Sequence, residues 1–148
     1  MNHKHAVTAL SNGNTYSYDS NGNMTQRVVG GQTFNLGYDP ENHMISVSGA
    51  AAAAYTYTGD GQRIVATEGV TTTVYLSNYL EWAKNTSTQA VTSKSYYYAG
   101  TTRVAMRQDG GAPLWLFGDH LGSTNVVANY DGSTHGKQLY QAWGKAFT

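Results

Sequence analysis

A short tyrosine-rich unit recurs in the first half of the chain and constrains the fold more than any other feature. Each copy has an alternating segment that ends in Tyr, then a polar turn with Gly or Asn, then a second alternating segment. The three clearest copies are residues 14–24, 33–44 and 55–64. Because one such unit cannot bury its own apolar face, a series of them is expected to stack side by side.

Each copy predicts a β-hairpin. Tyr16 and Tyr18 are two residues apart, so they point to the same face of a strand. Asn21 and Gly22 form a strong hairpin signal, because both residue types accept positive φ at low cost. The residues expected to form the tyrosine ladder and its turns are Tyr16, Tyr18, Asp19, Gly22, Asn23, Tyr38, Asp39, Asn42, Tyr55, Tyr57, Asp60 and Gly61.

Substitutions between the copies preserve the chemistry of the turn. Asn42 stands where the first copy has Gly22, and Asn is the next residue after Gly to adopt a left-handed backbone. In the third copy Asp60 and Gly61 provide the same signal as Asn-Gly. Asp19, which precedes the first turn, can accept hydrogen bonds from the N–H groups of that turn. These conserved properties indicate true structural repeats.

Strand-forming and turn-forming residues dominate the rest of the chain as well. There are 12 Tyr and 17 Gly but only 2 Pro, and charged residues make up 12% of the chain. Tyr, Thr and Val favour strands, whereas Gly, Asn and Asp favour tight turns. The composition therefore predicts an all-β fold, an antiparallel sheet of hairpins that is curled or spiral. Further strands are expected at residues 71–82, 90–98, 103–108, 113–117, 123–130 and 138–143, with 83–89 as a polar loop and 50–54 as a loop or strand edge.

Charge and hydropathy exclude several classes of partner. The chain carries 9 basic and 9 acidic residues, a net charge of zero, and has no basic block, so we expect no nucleic-acid partner. No apolar run approaches the roughly 18–20 residues that a membrane-spanning helix needs, so we expect no membrane span. Cysteine is absent, which rules out disulfides and thiolate metal sites.

Several segments of the chain resemble one known family. Residues 16–23, Tyr-x-Tyr-Asp-x-x-Gly-Asn, are similar to the YD repeat of Rhs proteins, of insecticidal toxin-complex shells and of teneurins. Residues 97–105, 116–127 and 140–144 resemble the Rhs-associated core region. The signature of that region would here be Gly118, Asp119, His120, Leu121, Gly122 and Ser123.

The resemblance implies a structural role. In that family the hairpins wind into a spiral sheet that closes into a hollow shell, often around a toxic domain. We therefore expect YD repeats at residues 1–68 and a core-like β region at residues 69–148, joined in one continuous sheet. The resemblance and the low charge density together favour an extracellular or cell-surface location in a bacterium.

Three functions are compatible with the sequence. The first is a shell or filament wall whose partners are other copies of the chain or the rest of a YD shell, because unpaired strand edges pair with further strands. The second is a binding or adhesion module in which exposed Tyr, with Trp82, Trp115 or Trp143, grips carbohydrate or a protein. The third is an enzyme acting by autoproteolysis or as a toxin; this is the least favoured, and we expect no catalytic activity.

The residues whose chemistry would suit catalysis or metal binding are better explained by their place in turns or near the N-terminus. Asp119, His120 and Ser123 include the residue types of a hydrolytic triad, but adjacent strand residues face opposite ways and the flanking glycines favour a turn. His3 and His5 share a strand face, yet they lie near the N-terminus, where we expect little order. We therefore expect no metal site and no cofactor.

Two features leave alternatives open. Flat tyrosine rings could stack on sugars, but the packing ladder of the repeat itself is the favoured interpretation, since cross-strand aromatic pairs stabilise a sheet by about 0.2–1 kcal/mol each. Asn23 and Asn85 begin segments that match the N-glycosylation pattern. If the chain is secreted, Asn85 in its polar loop is the better candidate.

Overall fold

The computed structural model describes residues 6–141 and 144–146. Within this part of the chain the protein is all-β, with thirteen strands and no helix, which confirms the predicted fold class. The strands are β1 Thr15–Tyr18, β2 Met24–Val29, β3 Gln32–Tyr38, β4 Met44–Gly49, β5 Ala53–Tyr57, β6 Arg63–Glu68, β7 Thr71–Leu76, β8 Leu80–Asn85, β9 Val91–Ala99, β10 Thr102–Gln108, β11 Leu114–Gly118, β12 Thr124–Ala128 and β13 Thr134–Lys137.

Two compact units make up the chain. The first contains the residues up to Val74 together with Lys84–Gln89, and the second contains Tyr75–Ala83 together with the residues from Ala90 onward. In the first unit β1 to β7 pair in chain order, each antiparallel to the next. In the second unit β9 to β13 do the same. Neighbours in sequence are thus neighbours in the sheet, as expected for hairpins.

Each hairpin that contains a repeat turn also contains a bulge. Tyr18 pairs with Met24, whereas the preceding Ser17 pairs with Gln26, so the second strand has one extra residue, Thr25. The same shift occurs between β3 and β4 and between β5 and β6. A bulge bends its strand and increases the local right-handed twist. The repeat therefore introduces twist at a regular interval along the first unit.

Strand pairing gives the first unit two unlike faces. Residues that pair directly across antiparallel strands point to the same face, as Tyr16 does with Arg27 and Arg27 with Phe34. The aromatic face carries Tyr16, Tyr18, Phe34, Leu36, Tyr38, Val47, Tyr55, Tyr57 and Ala66, with Arg27, Arg63 and Glu68 among them. The polar face carries mainly small and polar side chains, Ser17, Gln26, Thr33, Asn35, Ser46, Ser48, Ala54 and Thr56, with Val28 and Val65 among them.

Only small side chains are buried among the described hydrophobic residues. These are Ala66, Ala105 and Ala128, which are 2%, 3% and 7% exposed. Ala105 pairs with Trp115, and Ala66 pairs with Tyr55, so each alanine is covered by a bulky neighbour on an adjacent strand. The chain exposes 10,386 Å², whereas a folded monomer of its mass typically exposes about 7,400 Å². Most of the described large side chains are partly buried, and none is fully buried.

Two of the predicted strands are wrong in their extent. The sequence predicts one strand at residues 71–82, but β7 ends at Leu76 and β8 begins at Leu80. Ser77, with φ 59°, lies in the turn between them. The run of Thr, Val and Tyr predicts an unbroken strand, whereas the turn depends on the left-handed backbone of one residue, Ser77. Residues 138–141 do not form the expected strand either: β13 ends at Lys137, and Tyr140 makes only an isolated bridge, to Ala146. Residues 142 and 143 lie outside the described part.

The polar loop expected at residues 83–89 begins later than predicted, since β8 continues to Asn85. The alanine run at residues 50–54 is confirmed as a loop and strand edge, because β5 begins at Ala53. Gly49 precedes this run with φ 99°, a backbone conformation that interrupts any continuous helix.

Candidate functional site

The repeat residues build a five-residue turn with two main-chain hydrogen bonds. In the first copy the N–H of Asp19 donates to the carbonyl of Asn23 at 2.9 Å, and the N–H of Gly22 donates to the carbonyl of Asp19 at 3.2 Å. The same two bonds recur elsewhere in the described chain. Turns with this pattern begin at Leu10, Asp19, Asp39, Thr58, Asp119, Asn129 and Gln141.

The fourth residue of the turn has a left-handed backbone in all three predicted copies. The φ angles are 91° at Gly22, 67° at Asn42 and 75° at Gly61. This confirms that Asn42 replaces Gly22 in the same conformation, which side chains other than Asn and Asp rarely adopt. Asp60 is the third residue of its turn, directly before Gly61.

The first residue of the turn caps the loop with its side chain. Asp19 Oδ1 accepts the N–H groups of Asn21 and Asn23, both at 2.9 Å. A hydrogen bond from the Asn23 side chain to the same carboxylate lowers the pKa of Asp19 below its ordinary value, and the main-chain bonds add to this effect. Asp39 Oδ1 accepts the N–H groups of Glu41 and His43 in the same way, both at 2.9 Å.

In the third copy Thr58 takes the capping position. Its Oγ1 accepts the N–H of Gln62 at 3.1 Å. Thr58 is absent from the capping residues that the sequence predicts, because Asp occupies this position in the first two copies; Ser and Thr hydroxyls cap turns in the same way with weaker bonds. A Thr four residues before the end of a Gly-containing turn is the signal that could have identified it.

Side-chain amides join the first repeat turn to the second. Asn23 Nδ2 donates to Asn42 Oδ1 at 2.7 Å, and Asn21 Nδ2 donates to the same oxygen at 3.1 Å. Burial raises the pKa of the Tyr38 hydroxyl, and the negative charge of Asp19 raises it further, which indicates that Tyr38 lies close to the first turn. Consecutive turns on this side of the unit are therefore bonded to each other.

An imidazole ring joins the second turn to the third hairpin. His43 stacks on Tyr57 with the ring centroids 4.8 Å apart and the planes inclined by 20°. A Cβ atom at Gly61 would lie 2.9 Å from His43 Nε2, closer than such atoms pack. Gly61 is therefore required both for its backbone conformation and for the space that His43 occupies.

The tyrosine before each of several turns donates a hydrogen bond to a main-chain carbonyl earlier in the chain. The hydroxyl of Tyr57 donates to the carbonyl of Met44 at 3.0 Å, and that of Tyr18 donates to the carbonyl of Val7 at 3.0 Å. Tyr140 donates to Thr124 in the same manner, at 3.2 Å. These three tyrosines directly precede turns, so each of them links its turn to an earlier segment of the chain.

Asp39, Glu41 and His43 form the one group of potential metal ligands among the described residues, with donor atoms within 4.8 Å of one another. His43 Nδ1 lies 3.1 Å from Asp39 Oδ2 and 3.7 Å from Glu41 Oε2. Two carboxylates and an imidazole can coordinate a divalent cation. However, Asp39 already accepts two main-chain N–H groups with Oδ1, so the arrangement is accounted for by the turn itself.

A tyrosine between a carboxylate and a guanidinium group occurs in the second unit. Burial, a hydrogen bond with Glu81 and the charge of Glu81 together raise the pKa of Tyr96 to about 12. The guanidinium of Arg103 lies 4.0 Å from the centre of the Tyr96 ring, within the range of a cation–π interaction. In the first unit Tyr55 donates to Glu68 at 3.0 Å, and Arg63 lies 5.3 Å from its ring.

The segment that resembles the core signature forms a turn, as predicted. Asp119 Oδ1 accepts the N–H groups of Leu121 and Ser123, at 2.9 and 3.0 Å, and Gly122 has φ 85°. His120 is exposed at the second position of this turn. Asp119, His120 and Gly122 of this turn border a groove of about 530 Å³, which is also lined by Arg103, Leu116, Gly118 and Thr124.

The two glycosylation candidates, Asn23 and Asn85, differ in which atoms of their side-chain amides make hydrogen bonds. Asn23 Nδ2, the atom that a glycan would modify, is bonded to Asp19 and Asn42. Asn85 instead uses Oδ1 to accept the N–H groups of Ser87 and Thr88, both at 2.9 Å. This difference favours Asn85, and glycosylation of either residue stays a prediction.

The remaining candidates, His3, His5 and Trp143, lie outside the described residues. The described part of the chain contains no helix with the length and apolar character needed to cross a membrane. No protein-family model matches the chain, and no curated protein matches it either.

Proposed function

We propose that the chain is the wall of a YD-repeat protein of the Rhs type, located outside a bacterium or on its surface. The observation that carries this proposal is the bonding between consecutive hairpins at their turns. Asn23 bonds to Asn42 at 2.7 Å, and Tyr57 bonds to Met44 at 3.0 Å. Such links let each hairpin position the next, which is what an extended wall of repeats requires.

The two faces of the first unit support a wall that separates two environments. One face carries the tyrosine ladder, including Tyr16, Tyr38 and Tyr55, and the other carries small hydroxyl and amide side chains such as Ser17 and Ser48. In the proposed wall the ladder faces the interior. The partners are other copies of the chain, giving a filament, or the rest of a shell that encloses a toxic domain.

A binding or adhesion module is the second candidate function. It is supported by large aromatic side chains of the second unit that stay exposed, Trp82 at 55% and Trp115 at 42%. Isolated exposed apolar residues need no explanation, but a group of them on one face marks an interaction site.

Electron microscopy tests the wall. The purified chain at micromolar concentration is expected to form filaments or closed particles whose wall is one sheet thick. If the purified chain is monomeric throughout, the filament form is wrong, and the shell form is then tested by imaging the native assembly isolated through a tag on this chain. A native assembly in which the chain lies outside any β-sheet wall would refute the proposal.

A further inference from the structure

One face of the second unit is aromatic where the corresponding face of the first unit is polar. Trp115 and Phe117 lie four and two residues before the turn that begins at Asp119. The equivalent positions before the first turn are Thr15 and Ser17. The tyrosine ladder of the repeat does not account for Trp115 and Phe117, because they lie on the opposite face of the sheet.

Strand pairing arranges this face as a row. Tyr97 pairs with Ala105, Ala105 with Trp115, and Trp115 with Ala128. Tyr97 and Trp115 are each 42% exposed, while the alanines beside them are 3% and 7% exposed. Two half-exposed rings thus stand on either side of a low alanine position.

Strand geometry sets the distance between the backbones that carry the two rings. Adjacent strands lie about 4.8 Å apart, so the backbones of Tyr97 and Trp115, which are two strands apart, are separated by about 9.5 Å. Alternate sugar rings of an extended β-1,4-linked chain repeat on the same scale. A sugar of such a chain could therefore lie on each ring, with the intervening sugar between the two rings.

Two further rings extend the row at its sides. Phe117 is 54% exposed and follows Trp115 on the same face. Glu81 bonds to Tyr96 on the opposite face, so Trp82 lies on the same face as Tyr97 by strand alternation.

Hydroxyl groups border the rings, because Thr134 pairs with Ala128 and Ser95 is two residues before Tyr97. Hydrogen-bonding groups beside flat rings are what a sugar ligand needs.

The four rings form a narrow row. From their exposed fractions, they offer on the order of 400 Å² of apolar surface, since an aromatic side chain buries at most about 250 Å². A second copy of the chain would also have to bury residues around the row, because a stable protein interface buries about 800 Å² of polar and apolar surface on each partner. A single oligosaccharide chain needs only the rings and the hydroxyl groups beside them.

We propose that the row formed by Tyr97, Ala105 and Trp115, flanked by Trp82 and Phe117, binds an extended β-linked oligosaccharide. The inference rests on the second candidate function, to which it assigns a site and a ligand class. It does not depend on assembly into a wall.

Calorimetric titration with cellohexaose and chitohexaose tests the site, with the α-linked, curved maltohexaose for comparison. We expect saturable binding of at least one β-linked chain and at least tenfold weaker binding of maltohexaose. Trp115→Ala should weaken the affinity about tenfold or more, the usual effect of removing a central aromatic contact. Tyr97→Phe, which keeps the ring, should stay within about twofold of the parent protein.

Val70→Ala is the control, since Val70 is 50% exposed and belongs to the first unit, and it should bind as the parent does. Circular dichroism confirms that each variant is folded. Absence of binding by both β-linked chains at millimolar concentration, or equal binding by Trp115→Ala, overturns the inference. So does a dimer that Trp115→Ala dissociates in sedimentation experiments, because the row is then an interface between copies. Sugar binding without filaments or shells would refute the wall and leave this site standing.

Discussion

The hydroxyl of Tyr57, the last residue of β5, donates a hydrogen bond to the carbonyl of Met44, the first residue of β4, at 3.0 Å. The bond joins the strand that enters the third repeat turn to the strand that leaves the second. Tyr18 and Tyr140 make the equivalent bond before their own turns. The tyrosine of the repeat therefore has two roles: its ring packs on one face of the sheet, and its hydroxyl links hairpins.

Removing this hydroxyl tests the second role. Tyr57→Phe keeps the ring that stacks on His43 and removes the hydrogen bond to the Met44 carbonyl. We expect the free energy of unfolding to fall by about 1 kcal/mol, the usual net contribution of one hydrogen bond. Urea denaturation measures the change. Tyr130→Phe, at an exposed turn position, is the control and should change stability by less than about 0.5 kcal/mol. Equal stability of Tyr57→Phe and the parent would show that the bond contributes nothing.

Two glycines of the third repeat turn should respond in opposite directions. Gly61 has φ 75° and has His43 Nε2 where a Cβ would lie, so Gly61→Ala should destabilise the protein by about 1–2 kcal/mol. Gly59 has no atom within 4 Å of its Cβ position, and its φ is not in the left-handed region. Gly59→Ala should therefore be neutral or stabilising by about 0.4–1 kcal/mol. Thermal unfolding of both variants measures this difference. Equal losses of stability in Gly61→Ala and Gly59→Ala would contradict the prediction.

Acid should weaken the first repeat turn through Asp19. The hydrogen bond from the Asn23 side chain, followed by main-chain bonds, lowers the pKa of Asp19 below its ordinary value of 3.8. Because the folded pKa is the lower one, the stabilisation is present above pH 3.8 and is lost as the pH falls through the folded pKa. In Asp19→Asn, unfolding measured between pH 5 and pH 2 should depend less on pH than in the parent. Ser20→Ala, in the same turn, should keep the parent's pH dependence, and an unchanged slope in Asp19→Asn would contradict the prediction.

Tyr96 should be among the last tyrosines to ionise. Burial raises its pKa to about 12, with further contributions from a hydrogen bond and the charge of Glu81. The folded pKa lies above the ordinary value of 10.0, so the stabilisation is complete below pH 10.0 and is lost as the pH rises towards 12. Phenolate absorbance should show a lower pKa for Tyr96 in Glu81→Gln and the loss of one high-pH titration in Tyr96→Phe. The same titration curve in Glu81→Gln and the parent would exclude Glu81 as a cause.

Local signals were sufficient to predict the hairpins. Asn42 was expected to replace Gly22 in a left-handed position, and both have positive φ. The Asp19 cap was expected from its place before the turn, and it accepts two main-chain N–H groups. These features depend on residues within five positions of one another, so their sequence order contains the necessary information.

Turns without the expected residues were harder to recognise. Thr58 caps the third turn in place of Asp, and Ser77 reverses the chain within a segment that otherwise predicts one long strand. The run of Thr, Val and Tyr before Ser77 has high strand propensity, so it predicts one continuous strand. Strand propensity depends on the neighbouring strands, however, and it does not locate a turn that rests on a single residue.

The sequence by itself determined the all-β class, the tyrosine ladder and the first three repeat turns, because alternation and turn chemistry act over a few residues. Only the tertiary structure decided which residues join the hairpins. Asn42 is nineteen residues from Asn23, and Tyr57 is thirteen from Met44, yet each pair is hydrogen-bonded. Such contacts depend on strand register and on the bulge after each turn, which neighbouring hairpins fix together.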